Sequence, residues 1–182
     1  MTTACFFLGP PGVGKTSLVR KLLGVPGFGV RLIEKPKWTV GDEWCAAGHY
    51  TGDPYDGGDT VPYNGVRYAL DYWRRALSVT TPLTVFDGDR FSHESALDAI
   101  ELVAESTVAV YLSGAEELLT ARRAARGSNQ DPAWMKGRAT KAQRFSIIMQ
   151  KRSLKVWMLD ADNTTEELAR QVRHLLDTTG DT

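Results

Sequence analysis

The sequence predicts a three-layer α/β fold in which about five parallel strands carry helices on both faces. Three observations support this prediction. Apolar runs of strand length alternate with segments of helical periodicity, a glycine-rich turn joins the first run to the first helix, and 182 residues suit a single domain. Because parallel strands end at one edge of a sheet, we expect the ligand at their carboxyl ends.

The elements follow one another with little interruption. The apolar run ACFFL predicts the first strand over 4–8, and the leucines that follow predict a helix over 15–23. The run GVRLIE predicts the second strand over 29–34, a helix is expected over 64–78, and PLTVFD predicts the third strand over 82–87. The alternation then continues with helix 93–104, strand 107–112, helix 115–126, helix 137–152, strand 154–160 and helix 164–177.

Helix starts and loops are also predicted. Asn163, with Glu166 three residues on, is the expected N-cap of the last helix. If the segment DGD, residues 87–89, is only a polar turn, Ser92 is the N-cap of the helix at 93. Residues 35–63 read as a long irregular region, and GSNQDPAW, residues 127–134, as a loop.

Composition argues against several classes of protein. Lys plus Arg and Asp plus Glu number 22 each, so the net charge of the chain does not attract nucleic acid. Nucleic acid could still bind to a local basic groove. Two cysteines, Cys5 and Cys45, suggest no disulfide framework, and Cys5 should be buried in the first strand. Without a basic leader or a run of 18 apolar residues, we expect no signal peptide, no membrane span and a cytoplasmic location.

The turn after the first strand carries the most specific motif. Residues 9–16 read GPPGVGKT, which fits G-x-x-x-x-G-K-[ST], the phosphate-binding P-loop, and so predicts ATP and Mg²⁺ as ligands of a P-loop NTPase fold. Lys15 would reach the β- and γ-phosphates and Thr16 the Mg²⁺, while the glycines and the helix terminus present N–H groups. An ordinary glycine-rich turn is the alternative. The predicted nucleotide ligands are Gly9, Gly12, Val13, Gly14, Lys15, Thr16 and Ser17.

A P-loop does not by itself specify a reaction, since GTPases, ATPase motors and small kinases share it. The sequence lacks the Asn-Lys-x-Asp motif with which GTPases usually read guanine, and nothing in it suggests the second domain of a motor. The size therefore favours a small kinase, with a non-kinase NTP-binding switch or ATPase as the alternative.

The third strand ends in TVFDGDRFS, residues 84–92. Asp87 stands where an acid would hold Mg²⁺ through water, and Asp89-Arg90 resembles the acid-arginine pair of thymidylate and deoxynucleoside kinases. We assign Asp87 to the metal and Asp89 to the acceptor hydroxyl, an assignment that the sequence leaves open. The alternative is a polar turn that only joins strand to helix.

Basic residues cluster in the region 122–144, in a layout typical of the arginine-rich lid of small nucleotide kinases. Arg122 and Arg126 share a helix face, and Arg138 follows after a polar loop. Lid arginines would stabilise charge on the transferring phosphoryl group, whereas the alternative is a solvated basic helix face. The other cations of this region are Arg123, Lys136, Lys141 and Arg144.

The region 35–63 is the predicted acceptor-side loop. Its aromatic residues could stack on a base, and Asp59 in GGDT could contact a hydroxyl or base. These aromatics are Trp38, Trp44, Tyr50, Tyr55 and Tyr63, of which Trp44, Tyr50 and Tyr55 are the favoured candidates. A second aromatic group lies in the helix that follows, where periodicity favours a core role over a base platform. Its members are Tyr68, Tyr72 and Trp73.

Taken together, the P-loop, GGDTVPYN, FDGDRFS and RRAARGSNQDPAWMKGRATK resemble phage-encoded P-loop kinases that include the 5-hydroxymethyl-deoxyuridine DNA kinases. The resemblance spans most of the chain. It implies an acceptor hydroxymethyl group on a pyrimidine in DNA, a role in DNA hypermodification and a location in the host cytoplasm. Lys15 and Thr16 would bind phosphate and Mg²⁺, and Asp87, Asp89 and Arg90 would form the catalytic group. A free nucleoside or nucleoside monophosphate is the alternative acceptor.

Overall fold

In the part of the chain that the structure describes, seven strands form one sheet. A computed structural model describes residues 2–53, 56–125, 127 and 130–179. The strands are β1 (Thr3–Leu8), β2 (Arg31–Glu34), β3 (Lys37–Val40), β4 (Trp44–Ala47), β5 (Leu83–Asp87), β6 (Ser106–Ser113) and β7 (Lys155–Asp160). Their spatial order is β2-β3-β4-β5-β1-β6-β7. The five strands from β4 to β7 in that order are mutually parallel, and β2 and β3 extend one edge antiparallel.

Helices cover both faces of the sheet, as the α/β alternation predicts. They are α1 (Lys15–Leu23), α2 (Val66–Tyr72), α3 (Glu94–Glu101), α4 (Glu116–Ala125), α5 (Pro132–Lys151) and α6 (Thr165–Asp177). Successive side chains of β1 point to opposite faces: Phe6 packs with residues of α2, α3 and α5, and Phe7 with residues of α1, α4 and α6. Within the described residues, no helix is long and apolar enough to cross a membrane.

The second parallel strand was predicted at the wrong place. The segment 29–34 forms the antiparallel edge strand β2, and the strand beside β5 is β4, inside the segment predicted as irregular. Strand β2 is almost fully exposed, so no buried face distinguished it from the interior strands. Strands β3 and β4 have only four residues each, too few for the alternation of apolar residues to be read in the sequence.

Several helix boundaries also differ from prediction. Helix α5 begins five residues early, because the Asp131 side chain accepts a hydrogen bond from the Trp134 N–H at 2.9 Å and Pro132 occupies the first turn. His93, not Ser92, caps α3, and Thr164 caps α6 through a capping box with Glu167. The predicted helix 64–78 consists of α2 and a π-helical turn, Trp73–Leu77.

An aromatic cluster supports β5, the strand that ends in Asp87. The Phe86 ring lies 5.2 Å from Phe6, 5.8 Å from Trp73 and 5.0 Å from Phe91. The Trp73 indole donates to Thr84 Oγ1 at 2.8 Å, so its polar atom is satisfied. The core prediction is thus confirmed for Trp73 and wrong for Tyr68, which is 59% exposed.

The two cysteines are free and buried, in agreement with prediction for Cys5. Burial raises the pKa of the Cys5 thiol far above its ordinary range and that of Cys45 to about 11. Both side chains are therefore packing groups of the sheet, at positions where a thiolate does not form.

We expect Phe86→Ala to lower the free energy of unfolding by about 3–5 kcal/mol, because the change leaves a cavity among several rings. Equilibrium unfolding in urea measures the effect. Leu102→Ala is the matched control: Leu102 is 86% exposed, and its loss should change stability by no more than about 0.5 kcal/mol. A loss for Phe86→Ala as small as that of the control would contradict the central role of this ring.

Candidate active site

The P-loop follows the carboxyl end of β1 and has the backbone that phosphate binding needs. Gly9 has a φ of +137°, and a Cβ at this position would lie 2.4 Å from the Leu112 carbonyl oxygen, so a larger residue does not fit. The Lys15 ammonium donates to the carbonyl oxygens of Gly9 at 2.9 Å and Pro10 at 3.0 Å. The lysine thus folds back over the loop, where its charge faces the space that a phosphate would enter.

Thr16 and Asp87 bring two oxygen ligands together beside the P-loop. The Thr16 hydroxyl donates to Asp87 Oδ2 at 2.7 Å, and the Tyr50 hydroxyl donates to the same oxygen at 3.4 Å. Asp87 is only 3% exposed. Burial raises its pKa, although the charge of Lys15 opposes this rise, and burial likewise lowers the pKa of Lys15. A hydroxyl and a carboxylate fit Mg²⁺, which keeps water and phosphate oxygens as its other ligands.

A pair of glycines brings the acceptor-side loop against the Thr16–Asp87 pair. A Cβ on Gly58 would lie 1.9 Å from the Asp87 carbonyl oxygen, and one on Gly57, whose φ is +93°, would lie 2.8 Å from Asp87 Oδ2. Only glycine permits so close an approach at both positions. The next residue, Asp59, consequently lines the same cleft as the P-loop.

A network of acids and cations faces the P-loop from the other side of the cleft; we call Asp59, Asp89, Arg90 and Arg138 the acceptor-side cluster. Arg138 binds the Asp89 carboxylate with two hydrogen bonds, Nε to Oδ2 at 2.8 Å and Nη2 to Oδ1 at 2.5 Å. Its Nη2 also lies 3.3 Å from Asp59 Oδ1, and Arg90 Nε lies 3.7 Å from the same oxygen.

Aromatic rings and one lysine hold this cluster. The Arg90 guanidinium lies 3.6 Å from the centroid of the Tyr63 ring, and that of Arg138 lies 4.4 Å from the centroid of the Trp134 ring. Lys141 donates to the Asp89 carbonyl oxygen at 2.8 Å. Sequence reasoning counted Tyr63 among the loop aromatics that could stack on a base but did not select Trp134; the Asp-Pro helix start just before Trp134 was the available signal.

The P-loop and the acceptor-side cluster border one cleft of about 310 Å³. Of the predicted site residues, the structure places a large group along this cleft. They are Gly9, Gly12, Gly14, Lys15, Thr16, Asp59, Asp87, Asp89 and Arg138. Val13 is buried beneath the loop, Ser17 lies in the first turn of α1, and Arg90 lies behind Asp59.

Two of the predicted base-stacking residues are not placed for that role. Trp44 begins β4 opposite Leu83, at the amino-terminal ends of the strands and so at the far edge of the sheet from the P-loop. Tyr50 is 1% exposed, so its ring cannot stack on an entering base, and only its hydroxyl reaches Asp87. Tyr55 lies outside the described residues.

The basic residues predicted as one lid separate into different locations. Arg122 donates to the carbonyl oxygens of Val13 at 3.0 Å and Ala161 at 2.8 Å, so it braces the P-loop from behind. Arg123 lines the cleft and forms an ion pair with Glu116. Arg126 lies outside the described residues.

The cations on α5 divide in the same way. Arg138 joins the acceptor-side cluster, whereas Lys136, Lys141 and Arg144 line a separate groove of about 590 Å³ between α5 and the start of α3. Ser92 borders both spaces, so groove and cleft are neighbours.

Comparison with solved structures finds the same fold in several kinases. A sugar kinase from Janibacter sp. HTCC2649 has a TM-score of 0.52 at 15% identity over 97% of this chain and 95% of its own. Deoxyadenosine kinase from M. mycoides, with dCMP and dCDP bound, has a TM-score of 0.51 at 13% identity over 97% of this chain and 99% of its own. Shikimate kinase from Acinetobacter baumannii, in complex with shikimate, has a TM-score of 0.52 at 14% identity over 98% of this chain and 95% of its own.

At these identities the likeness establishes the three-layer fold of the chain and no more. No protein-family model matches the sequence, and no curated protein is significantly similar to it.

We expect Asp87→Asn to stabilise the ligand-free protein near neutral pH. Because burial raises the pKa of Asp87, ionisation costs stability at any pH above the ordinary value of 3.8, and the cost disappears below it. Asn removes this cost and still accepts the Thr16 hydroxyl. Melting temperatures of variant and wild type should therefore differ most near pH 7 and converge below pH 3.8.

Asp89→Asn is the contrasting variant, because Arg138 then loses the carboxylate that accepts its two shortest hydrogen bonds and keeps only Asp59, at a longer distance, as a charged partner, so stability should fall. A melting temperature for Asp87→Asn at or below that of wild type at pH 7 would contradict the destabilising role of the buried carboxylate.

Proposed function

We propose that the protein is an ATP- and Mg²⁺-dependent kinase that transfers the γ-phosphoryl group to a hydroxyl. One observation carries the proposal: a P-loop with its Thr16–Asp87 pair and a second carboxylate, Asp89, held by Arg138, line the same cleft. Donor binding needs the first set and acceptor activation the second. The kinases that share the fold support this reading, and the acceptor-side cluster argues against a switch or motor that hydrolyses NTP.

The groups divide the reaction between them. Lys15 would contact the β- and γ-phosphates of a bound nucleotide, and Thr16 and Asp87 would hold a Mg²⁺ ion, which would offset the charge of those phosphates. Asp89 accepts the proton of the acceptor hydroxyl. At the same time the oxygen of that hydroxyl bonds to the γ-phosphorus, and the bond between the γ-phosphorus and ADP breaks. Asp89 Oδ2 accepts from Arg138 and from the Tyr63 hydroxyl at 3.3 Å, whereas Oδ1 accepts from Arg138 and retains a lone pair for this proton. Arg138 and Arg123 offset charge on the transferring group.

We expect Lys15→Ala to lower kcat by roughly 100- to 1,000-fold, equivalent to the ~3–4 kcal/mol lost with one donor to a transition-state oxyanion. Transfer of radiolabelled γ-phosphate from ATP measures the effect. Lys155→Ala is the matched control, since Lys155 is an exposed lysine of β7, away from the cleft. Near-native turnover by a folded Lys15→Ala variant would overturn the nucleotide site.

For the acceptor, we propose the hydroxymethyl group of 5-hydroxymethyluracil in DNA, which the sequence resemblance implies. The groove between α3 and α5 supports a polymeric acceptor. Lys136 and Arg144 are eight positions apart on α5, about 12 Å along the helix, a distance of roughly three nucleotide rises and more than one phosphate requires. The carboxylate of the groove, Glu94, pairs with Arg152 at 3.6 Å, so it does not neutralise these cations.

A base inside a duplex cannot reach Asp89, so the modified nucleotide must leave the stack or lie in a single strand. Extrusion costs a few kcal/mol. Trp134 and Tyr63, which are 40% and 61% exposed beside the acceptor-side cluster, can return about 1–3 kcal/mol per stacked base. Tyr63 was among the loop aromatics that the sequence suggested for stacking, and Trp134 takes the role that Trp44 and Tyr50 cannot fill.

A free nucleoside or nucleoside monophosphate is the second candidate. The cleft of about 310 Å³ is of a size that suits a small acceptor, and the solved deoxyadenosine kinase that shares the fold holds deoxynucleotides. A free acceptor of this size would not contact the full length of the α5 groove. The two candidates therefore differ in whether binding depends on the cations of the groove.

We expect kcat/KM for a single-stranded oligonucleotide with one 5-hydroxymethyluracil to exceed that for the free nucleoside and its monophosphate at equal salt. In Lys136→Ala/Arg144→Ala, oligonucleotide affinity should fall, and the slope of log K against log salt should shrink by about 1.4, or ~0.7 for each lost phosphate contact.

Lys151→Ala is the control, because Lys151 is an exposed lysine on the same helix but outside the groove. A clear preference for a free acceptor would leave a nucleoside or nucleotide kinase in place of a DNA kinase. Equal losses in the control and in the double variant would show that the groove has no special part.

A further inference from the structure

An ion pair outside the predicted site fixes the acceptor-side loop. The Asp56 carboxylate, whose side chain is 4% exposed, accepts hydrogen bonds from the N–H groups of Thr51 at 2.5 Å and Gly52 at 2.7 Å. It also accepts from the Thr51 hydroxyl at 2.9 Å and from Arg20 Nη2 at 2.6 Å. Arg20 donates to the Asp53 carbonyl oxygen as well. The loop thus closes around one carboxylate, and one arginine holds that carboxylate from outside.

The arginine belongs to the helix that binds the donor. Arg20 lies four residues after Thr16 on α1, so the two side chains share one face of this helix. Lys15, Thr16 and Arg20 therefore belong to one continuous helix. Whatever fixes the loop to Arg20 also fixes it to the nucleotide-binding residues.

The loop segment that follows Asp56 forms the wall of the metal site. Gly57 and Gly58 come next in the chain and pass so close to Asp87 and Thr16 that a Cβ would collide with them. Asp59 of the acceptor-side cluster follows directly. The Gly57 N–H donates to the His49 carbonyl oxygen at 2.7 Å, which closes the base of the loop. A shift of Asp56 would consequently move the wall of the metal site and Asp59 together.

We propose that Arg20 and Asp56 are positioning residues for phosphoryl transfer: their ion pair sets the distance between the donor residues of α1 and the acceptor-side residues of the 51–59 loop. This inference rests on the proposed kinase function. Neither residue needs to touch the reacting atoms. Their effect arises because a misplacement of about 1 Å between donor and acceptor can reduce transfer by as much as 100-fold.

The test compares Arg20→Ala, Asp56→Ala and the double variant with wild type. We expect each to lower kcat by about 10- to 100-fold and to leave KM for ATP within about threefold, because Lys15 and the P-loop backbone remain in place. The double variant should be no worse than the worse single variant, since the two residues act as one unit. Assays are run well below the melting temperature of each variant, so that lost stability does not enter kcat.

The neighbouring residue provides a matched control. Lys21 pairs with Glu166 at 2.8 Å and ties α1 to α6 on the far side from the cleft, so Lys21→Ala removes a similar ion pair without touching the loop. Amide hydrogen exchange of residues 51–53 and 56–59 should accelerate in Arg20→Ala and stay at the wild-type rate in Lys21→Ala.

Each outcome decides between the proposals. A wild-type protein without transfer activity would overturn the kinase function and the positioning role with it. An active wild type with equally active Arg20→Ala and Asp56→Ala variants would overturn the positioning role alone. A loss confined to KM for ATP would also overturn it, because Arg20 would then support nucleotide binding instead.

Discussion

The contact between Thr16 and Asp87 is the constraint on which the site depends. Thr16 is the second residue of α1, the helix that follows β1, and Asp87 ends β5, the strand paired with β1. A hydrogen bond of 2.7 Å between them requires both strands to end at the same level and α1 to start directly above that edge. The parallel register, in which Phe7 lies opposite Asp87, meets this requirement. The aromatic cluster around Phe86 then keeps β5 in that register.

The site carries an electrostatic cost that its surroundings partly offset. Burial raises the pKa of Asp87 and lowers that of Lys15, so each charge is disfavoured where it stands. Each also moderates the other, and Lys15 bonds to two carbonyl oxygens of the P-loop. A bound nucleotide with its metal would supply the opposite charge that both groups lack. Such preorganised charge is worth most in a cleft from which water is excluded.

Three arginines stabilise three different parts of the structure. Arg122 fixes the P-loop through carbonyl oxygens, Arg20 fixes the acceptor-side loop through Asp56, and Arg138 holds the Asp89 carboxylate. The first two connect backbone segments that are distant in sequence, and of the three only Arg138 lines the cleft. The planar guanidinium suits all three tasks because it presents several donors in a fixed geometry. A count of arginines in the sequence does not distinguish these tasks.

The sequence by itself determined the alternation of strands and helices, the P-loop and the acidic end of β5, because each is a local pattern within a few consecutive residues. It placed Lys15, Thr16, Asp87 and Asp89 at one edge of the sheet, where the structure has them. Only the tertiary structure decided that β4 is the second parallel strand, that Trp44 lies at the far edge and that Tyr63 and Trp134 flank the acceptor side. It alone also paired Arg20 with Asp56. These outcomes depend on strand order and on contacts between segments far apart in the chain, where burial and geometry override local propensity.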